Sequence, residues 1–318
     1  MKVSVIIPAY NAQRWLPETL ESVAGQDFPE MEVIIVDDGS TDDTAALVTQ
    51  NWPQHTLIRT ENRGVSHARN TGTAAATGEY IQYLDADDLL MPGKISRQVA
   101  MLLAHPEADV VYSNWQYLEQ TATGEFKLGE TVARTIEDVS SDPQIAFFTG
   151  MWCPTGAYLY RRQFLHKVGE WKSWLPVIQD ARFAWDCARA NASWVHDVEA
   201  SVLYRKHLTG SVSTKSKLAF QKDCRANTED VHRLWAEEGT LNGGRLQAVI
   251  TNYYNLTRAM FPLDEKAFDE IWQALHELAP DFRPPGTVFS LLDSMLGHRN
   301  AERVAHWYRQ AKRLIASP

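Results

Sequence analysis

The sequence predicts an α/β fold: a mostly parallel sheet flanked by helices, followed by an α-helical C-terminal region. Three observations predict it. β-branched runs such as Val3–Ile7 and Met31–Val36 alternate with stretches whose apolar residues recur at helical spacing, the pattern of strand–helix–strand units. The strand signal stops near Lys217, after which helix follows helix, broken at Gly239, Asn242-Gly243-Gly244, Pro262 and Pro284-Pro285-Gly286. Acidic residues also collect where the strands end. These patterns divide the chain into an α/β domain over 1–214 and a helical region over 215–318.

In chain order, Val3–Ile7 reads as a buried parallel strand closed by Pro8. Asn11–Val23 places Trp15, Leu16, Leu20 and Val23 on one helical face, with Pro17 in the first turn. Met31–Val36 is a second strand, and Ser40 with Asp43 has capping-box spacing for a helix through Val48. A third strand over Thr56–Arg59 leads to a helix carrying His67, Arg69 and Asn70 that Gly78 ends. Tyr80–Leu84 is a fourth strand, and Pro92 starts the next helix in its first turn. Val110–Tyr112 is a further strand. Trp115–Leu118 and Phe126–Leu128 form a hairpin, Ile145–Phe148 a short helix, and Cys153–Arg162 a loop, a strand and a helix start. Gln179-Asp180 opens a helix through Ala190, and Val202–Arg205 is the last strand before Lys206–Ser211.

The 318 residues exceed the usual size of one domain, and 44% hydrophobic content is ample for a core. The formal net charge of -9 excludes a nucleic acid partner, since phosphate backbones are held by basic surfaces. The acidity sits in the first 214 residues, with 17 Lys and Arg against 27 Asp and Glu; from Lys215 onward the counts are 14 and 13. Cys153, Cys187 and Cys224 are too few and too far apart for a disulfide framework or a zinc site and fit a reducing compartment. The apolar run at the N-terminus is too short for a secretory signal, and no run approaches the ~20 residues that span a bilayer. The expectation is a cytoplasmic protein with, at most, peripheral contact at the inner membrane face.

Asp85, Asp87 and Asp88 place three carboxylates within four residues at the end of the fourth strand. Such groups repel one another unless a divalent cation sits among them, and hard oxygen ligands suit Mg²⁺ or Mn²⁺ holding a substrate phosphate. A helix cap needs only one of them. No glycine cluster of the phosphate-cradling kind follows any strand, which disfavours a P-loop or dinucleotide enzyme and favours a metal-neutralised diphosphate.

Pro8-Ala9-Tyr10-Asn11, Val36-Asp37-Asp38-Gly39-Ser40, Asn62-Arg63-Gly64 with Ala68-Arg69-Asn70, and Leu84-Asp85-Ala86-Asp87-Asp88 follow one another in a telling order and spacing. Together with Gly156–Gly169, Gln179-Asp180 and Tyr204-Arg205-Lys206-His207, the chain resembles the family 2 inverting glycosyltransferases of the GT-A fold over about its first two thirds. The resemblance implies a nucleotide-binding sheet. Pro8 and Tyr10 would line the base pocket, Asp38 would accept the N3–H of uracil or thymine with Arg69 close by, and Asp85 would face the ribose. Asp87 would ligate the metal that bridges the diphosphate, with His207 brought towards metal or diphosphate, Arg205 as an alternative phosphate contact, and Asp180 as the catalytic base. Many relatives carry Glu-Asp where this chain has Gln179-Asp180, so the base is kept beside a neutral neighbour.

The expected activity is transfer of a sugar from a nucleoside diphosphate to an acceptor hydroxyl, in cell-surface polysaccharide or glycoconjugate synthesis, with Mn²⁺ or Mg²⁺ as cofactor. UDP is the first choice of carrier; dTDP and GDP stay open. The partners implied are a nucleotide-sugar donor, a saccharide or lipid-linked acceptor and a second copy of the chain. A sugar-1-phosphate nucleotidyltransferase would need a basic glycine-rich loop that Ala9–Ala12 lacks, and a non-catalytic binding protein would be expected to have lost Asp87 or Asp180. Trp152, Trp171, Trp174 and Trp185 are either sugar-stacking platforms or core aromatics. Val304, Trp307, Tyr308, Ala311, Leu314 and Ile315 share one helical face, with Arg299, Arg303, Arg309, Lys312 and Arg313 nearby. That pattern suits an anionic membrane surface, or packing on neighbouring helices or a second subunit.

Overall fold

A computed structural model describes residues 1–208 and 216–316. The chain divides into two compact units, Met1–Lys215 and Ser216–Pro318. The first is built on a sheet of order β3-β2-β1-β4-β8-β6-β9-β5, with β7 paired to β6. Strands β1 (Val3–Ala9), β2 (Met31–Asp37), β3 (Thr56–Arg59) and β4 (Tyr80–Tyr83) are parallel. They alternate with α1 (Leu16–Ala24), α2 (Thr44–Asn51) and α3 (Val65–Ala75). Beyond β4 the sheet is mixed. β8 (Leu159–Arg161) runs antiparallel to β4 and to β6 (Val110–Gln120), which pairs parallel with β9 (Trp194–Lys206). The short β5 (Leu89–Leu90) is antiparallel to β9, and β7 (Phe126–Val132) completes the expected hairpin.

Several local expectations change for physical reasons. β1 does not stop at Pro8 but continues to Ala9. Ile6 accepts from Leu84 N–H and Ala9 from Asp38 N–H, so the missing N–H of Pro8 faces the β4 side, where pairing has already ended at Tyr83; no ladder bond is lost. α1 starts at Leu16 rather than Asn11, because Asn11 takes a left-handed φ of 50° and its Oδ1 accepts from Thr41 N–H at 2.8 Å. The Ser40–Asp43 box does not form: Ser40 Oγ accepts from Asn11 N–H, and Thr44 N–H is served by Asp42. Pro92 does not begin a helix, since Leu89-Leu90 pairs with β9 and α4 (Lys94–Ala104) starts after Gly93 at φ 74°. Val110–Tyr112 and Trp115–Leu118 belong to one strand. Its partner β9 starts eight residues before Val202, and register shifts near Asn114 break the alternation that would have marked it.

Helices α5 (Pro143–Thr149), α6 (Arg162–Val168) and α7 (Gln179–Arg189) complete the first unit. Its core is the buried β1 and β2 together with an aromatic cluster in which Trp171 stacks on Phe183 at 3.9 Å and Tyr83 meets both edge-on. Gly72 lets α3 lie close on β1, since a Cβ there would fall 2.4 Å from an Ile6 methyl. The second unit comprises α8 (Lys217–Glu237), α9 (Gly243–Met260), α10 (Glu265–Leu278), α11 (Thr287–Leu296) and α12 (His298–Ala316). Ser216 and Asp264 cap α8 and α10 through Ala219 and Ala267 N–H. Thr209–Ser211 of the expected terminal loop and the side chains of Arg313, Leu314 and Ile315 lie outside the described residues.

Candidate active site

Parallel register brings the candidate residues to one edge. Ala9 lies beside Asp37 and Asp37 beside Arg59, so the segments after β1, β2 and β3 leave the sheet together, with the β4 loop alongside. Asp37 is fully buried and works within the sheet edge: its oxygens accept from Ser40 N–H at 3.0 Å and Arg59 Nε at 3.1 Å. Asp38, 4% exposed, accepts from Arg63 N–H at 3.0 Å and Gly64 N–H at 2.8 Å, fixing the entry to α3. Oδ1 also accepts from Thr60 Oγ1 at 3.3 Å, so a further donor would be accepted at Oδ2, whose second lone pair is left beside Gly64 N–H. Pro8 is buried in β1, whereas Tyr10 is 52% exposed and therefore no core aromatic.

Arg69, on α3, is 1% exposed. Its guanidinium lies 4.3 Å from the Trp171 ring, and Nη2 donates to Asp85 Oδ1 at 2.6 Å and to Thr155 Oγ1 at 3.4 Å. The carboxyl of Asp85 is held above its ordinary pKa: burial lifts it, Arg69 opposes, and the charges of Asp87 and Asp180 lift it further. The Asp180 charge acting on Asp85 brings the start of α7 near the β4 loop.

The three carboxylates of the loop have separate environments, and none caps α4, which begins at Lys94. Asp87 is 38% exposed at its side chain, and its Oδ2 lies 2.9 Å from His207 Nε2. Asp88 is buried, accepts Arg205 N–H at 2.8 Å, and is pushed well above its ordinary pKa by burial and then by Asp87 and Asp85. Thr19 Oγ1 donates to the carbonyls of Ala86 and Asp88, both at 2.9 Å, and so ties the loop to α1. Arg205, the alternative phosphate contact, is buried beside this loop. Its Nε donates to the Asp87 carbonyl and its Nη2 to Glu18, both at 2.6 Å, and the guanidinium lies near the rings of Trp15 and Phe126. Arg205 braces the acidic loop.

Among the described residues no group of three or more His, Cys, Asp or Glu is arranged to hold a metal alone. Mg²⁺ and ions like it commonly take one or two protein ligands and fill the remaining corners with phosphate and water. Asp87 Oδ2 and His207 Nε2, hydrogen-bonded to each other at 2.9 Å, offer a carboxylate oxygen of the kind that suits Mg²⁺ or Mn²⁺ beside an imidazole nitrogen able to coordinate a divalent ion.

Asp180 is the second residue of α7, two positions past the cap residue Ile178, so its side chain is not the helix N-cap. Its Oδ1 accepts from Ala181 N–H at 2.8 Å and its Oδ2 from the indole N–H of Trp152 at 2.7 Å. Trp171 and Trp185 are core aromatics, Trp174 is exposed beside Arg182, and Trp152 is half-buried. Sequence reasoning did not single out Thr19, Glu18, Thr155 or the hydrogen-bonding role of Trp152. Only their tertiary neighbours give them a part; no local pattern marks them.

A family model described as Glycosyl transferase family 2 matches residues 4–169, just over half of the chain. An uncharacterized glycosyltransferase from Nostoc sp. is 35% identical over 191 residues, covering 55% of this chain and 56% of the relative. Chondroitin synthase from Escherichia coli is 38% identical over 96 residues, 29% of this chain and 14% of that protein. The chain thus spans about half the length, or less, of the curated relatives it matches. Among solved structures, Staphylococcus aureus TarS 1-349 in complex with UDP-GlcNAc matches with a TM-score of 0.62 at 19% identity, covering 98% of this chain and 92% of that one. The mannosyltransferase PcManGT from Pyrobaculum calidifontis, in complex with GDP-Man and Mn²⁺, matches with a TM-score of 0.54 at 20% identity, covering 97% and 87%. These structural matches establish the α/β GT-A fold with its helical C-terminal region. By the match to its model across the first, sheet-bearing unit, the chain belongs to glycosyl transferase family 2.

Proposed function

We propose that the chain is an inverting glycosyltransferase that moves a sugar from a nucleoside diphosphate, UDP before dTDP or GDP, to an acceptor hydroxyl. The observation that carries this reading is the gathering of Asp38, the Arg69–Asp85 pair, the Asp87–His207 pair and Asp180 around one edge of the sheet. Asp38 accepts the N3–H of the base, Pro8 and Tyr10 flank it, and Asp85 receives a ribose hydroxyl. Asp87 and His207 would hold Mn²⁺ or Mg²⁺, which when bound would neutralise charge on the departing diphosphate. Asp180 takes the acceptor proton as the new oxygen–carbon bond forms and the anomeric bond to phosphate breaks, releasing the nucleoside diphosphate. TarS and PcManGT, whose complexes hold UDP-GlcNAc and GDP-Man with Mn²⁺, lend support as proteins of the same fold.

Calorimetry with UDP, dTDP and GDP, with and without Mn²⁺, tests this. UDP is expected to bind tightest and only with the metal, and Asp87→Ala to abolish that binding while keeping the fold. Unchanged UDP affinity of the variant in Mn²⁺ would overturn the metal assignment.

The acceptor side of the proposal is a saccharide or lipid-linked hydroxyl presented at an anionic membrane surface, as in synthesis of a cell-surface glycan. Among the described residues no helix is long and apolar enough to cross a membrane. On α12, however, Val304, Trp307, Tyr308 and Ala311 form an exposed stripe at helical spacing, with exposed Arg303 and Lys312 on its two flanks. Apolar and aromatic side chains bordered by cations complement anionic headgroups.

A further inference from the structure

We infer that Trp152 is the positioning residue of the proposed base, holding the Asp180 carboxylate by its indole N–H so that the acceptor meets it in one orientation. The inference rests on the reading of Asp180 as the base.

The geometry is specific. Trp152 Nε1 donates to Asp180 Oδ2 at 2.7 Å, a charge-assisted bond. The indole is itself fixed edge-on, by Trp115 of β6 at 5.7 Å and 88° and by Tyr204 of β9 at 5.5 Å and 74°. Tyr204 directly precedes Arg205, the brace of the acidic loop, so one aromatic contact connects the setting of the base with that of Asp87. A plain packing role would not require the N–H to reach a carboxylate. Trp115 and Trp194 show this, since each buries its indole nitrogen with no hydrogen-bond partner among the described residues, whereas half-buried Trp152 directs its own at Asp180. With Ala181 N–H on the other oxygen, both carboxylate oxygens are held from fixed directions, and rotation of the carboxylate would break two bonds. A base fixed in this way stays aimed, which is the condition for proton removal during bond formation.

The test is the steady-state kinetics of UDP release from a UDP-sugar with water as acceptor, using whichever of a panel the native protein hydrolyses fastest. Trp152→Phe keeps the ring and removes the donor. The expected result is a kcat lower by about 10- to 100-fold, with KM for the UDP-sugar within about twofold of native. A benzothienyl-alanine at position 152, isosteric with tryptophan but without the N–H, gives the same readout should Phe disturb the fold. Asp180→Asn is run in parallel. An inactive Asp180→Asn beside an unmoved kcat in both position-152 variants overturns the inference alone. Retained turnover in Asp180→Asn overturns the base reading and the inference with it.

Discussion

Asp87 and Asp88 are neighbours of one chemical type with opposite duties. Asp87 keeps a partly exposed side chain beside His207, whereas Asp88 is buried with one oxygen on Arg205 N–H and the other without a hydrogen-bond partner among the described residues. Burial and the adjacent negative charges favour the protonated form of Asp88, so its part is to fasten β9 to the loop. Asp88→Leu is therefore expected to lose about 1–3 kcal/mol, the cost of leaving a buried Arg205 N–H unpaired, with Asp88→Asn close to native because its carbonyl still accepts. Urea unfolding of the two variants checks this, and equal stability of Leu and Asn would refute it. Asp87→Ala, by contrast, is expected to unfold like the native protein. The three-aspartate cluster was visible in the sequence, but the division of labour within it was not, because it depends on which oxygens the returning strand covers.

At the scale of elements, a polar clamp joins β1, β2 and the turn before β4. Glu32 Oε2 accepts from Lys2 Nζ at 2.6 Å, while Oε1 accepts from Ser4 Oγ at 2.5 Å and Thr77 N–H at 2.7 Å. Burial raises the carboxyl's pKa, but the bonds from Lys2, Ser4 and Thr77 together outweigh it and bring the value from 4.5 down to about 2. A carboxyl depressed by folding stabilises fully above its unfolded value, and that stabilisation is lost as the pH falls through the folded one. Glu32→Gln is expected to be less stable by about 1–3 kcal/mol at pH 7, with the gap narrowing below pH 4.5 and closing near pH 2. Denaturation midpoints across that range measure it, and a gap that stays constant with pH would count against the clamp. The strands it joins were legible because their β-branched runs are local. β9 was legible only at its end, where Val202–Arg205 still reads as a strand; the irregular pairing upstream with β6 hid the rest.

At the scale of the whole molecule, the two units differ in charge as they do in architecture: the acidity gathers in the sheet unit, and the helical unit is nearly balanced. The helical unit exposes apolar surface on both of its last helices, with Val288 at 75% and Met295 at 71% on α11 and Trp307 at 74% on α12. Binding to vesicles containing anionic phospholipid is expected for the full chain, weakening with added salt and lost on replacing Trp307 and Tyr308 by Ser. Co-sedimentation reads it directly. Absence from the pellet at low salt would leave packing against another protein surface, a second copy first, as the account of this stripe.

The sequence by itself determined the alternation of strand and helix through the first unit, the change to helices near residue 217 and the placement of acidic residues at strand ends. Hydrophobic periodicity and turn chemistry are local and act on neighbours in the chain. Only the tertiary structure decided which of those residues meet. Asp87 and His207 are 120 positions apart, and Glu18 reaches Arg205 across 187. Such contacts follow from strand order and register, which the pattern of a single strand does not contain. The same holds for Trp152 and Asp180, 28 residues apart, where a loop that reads as ordinary connection carries the indole that grips the carboxylate.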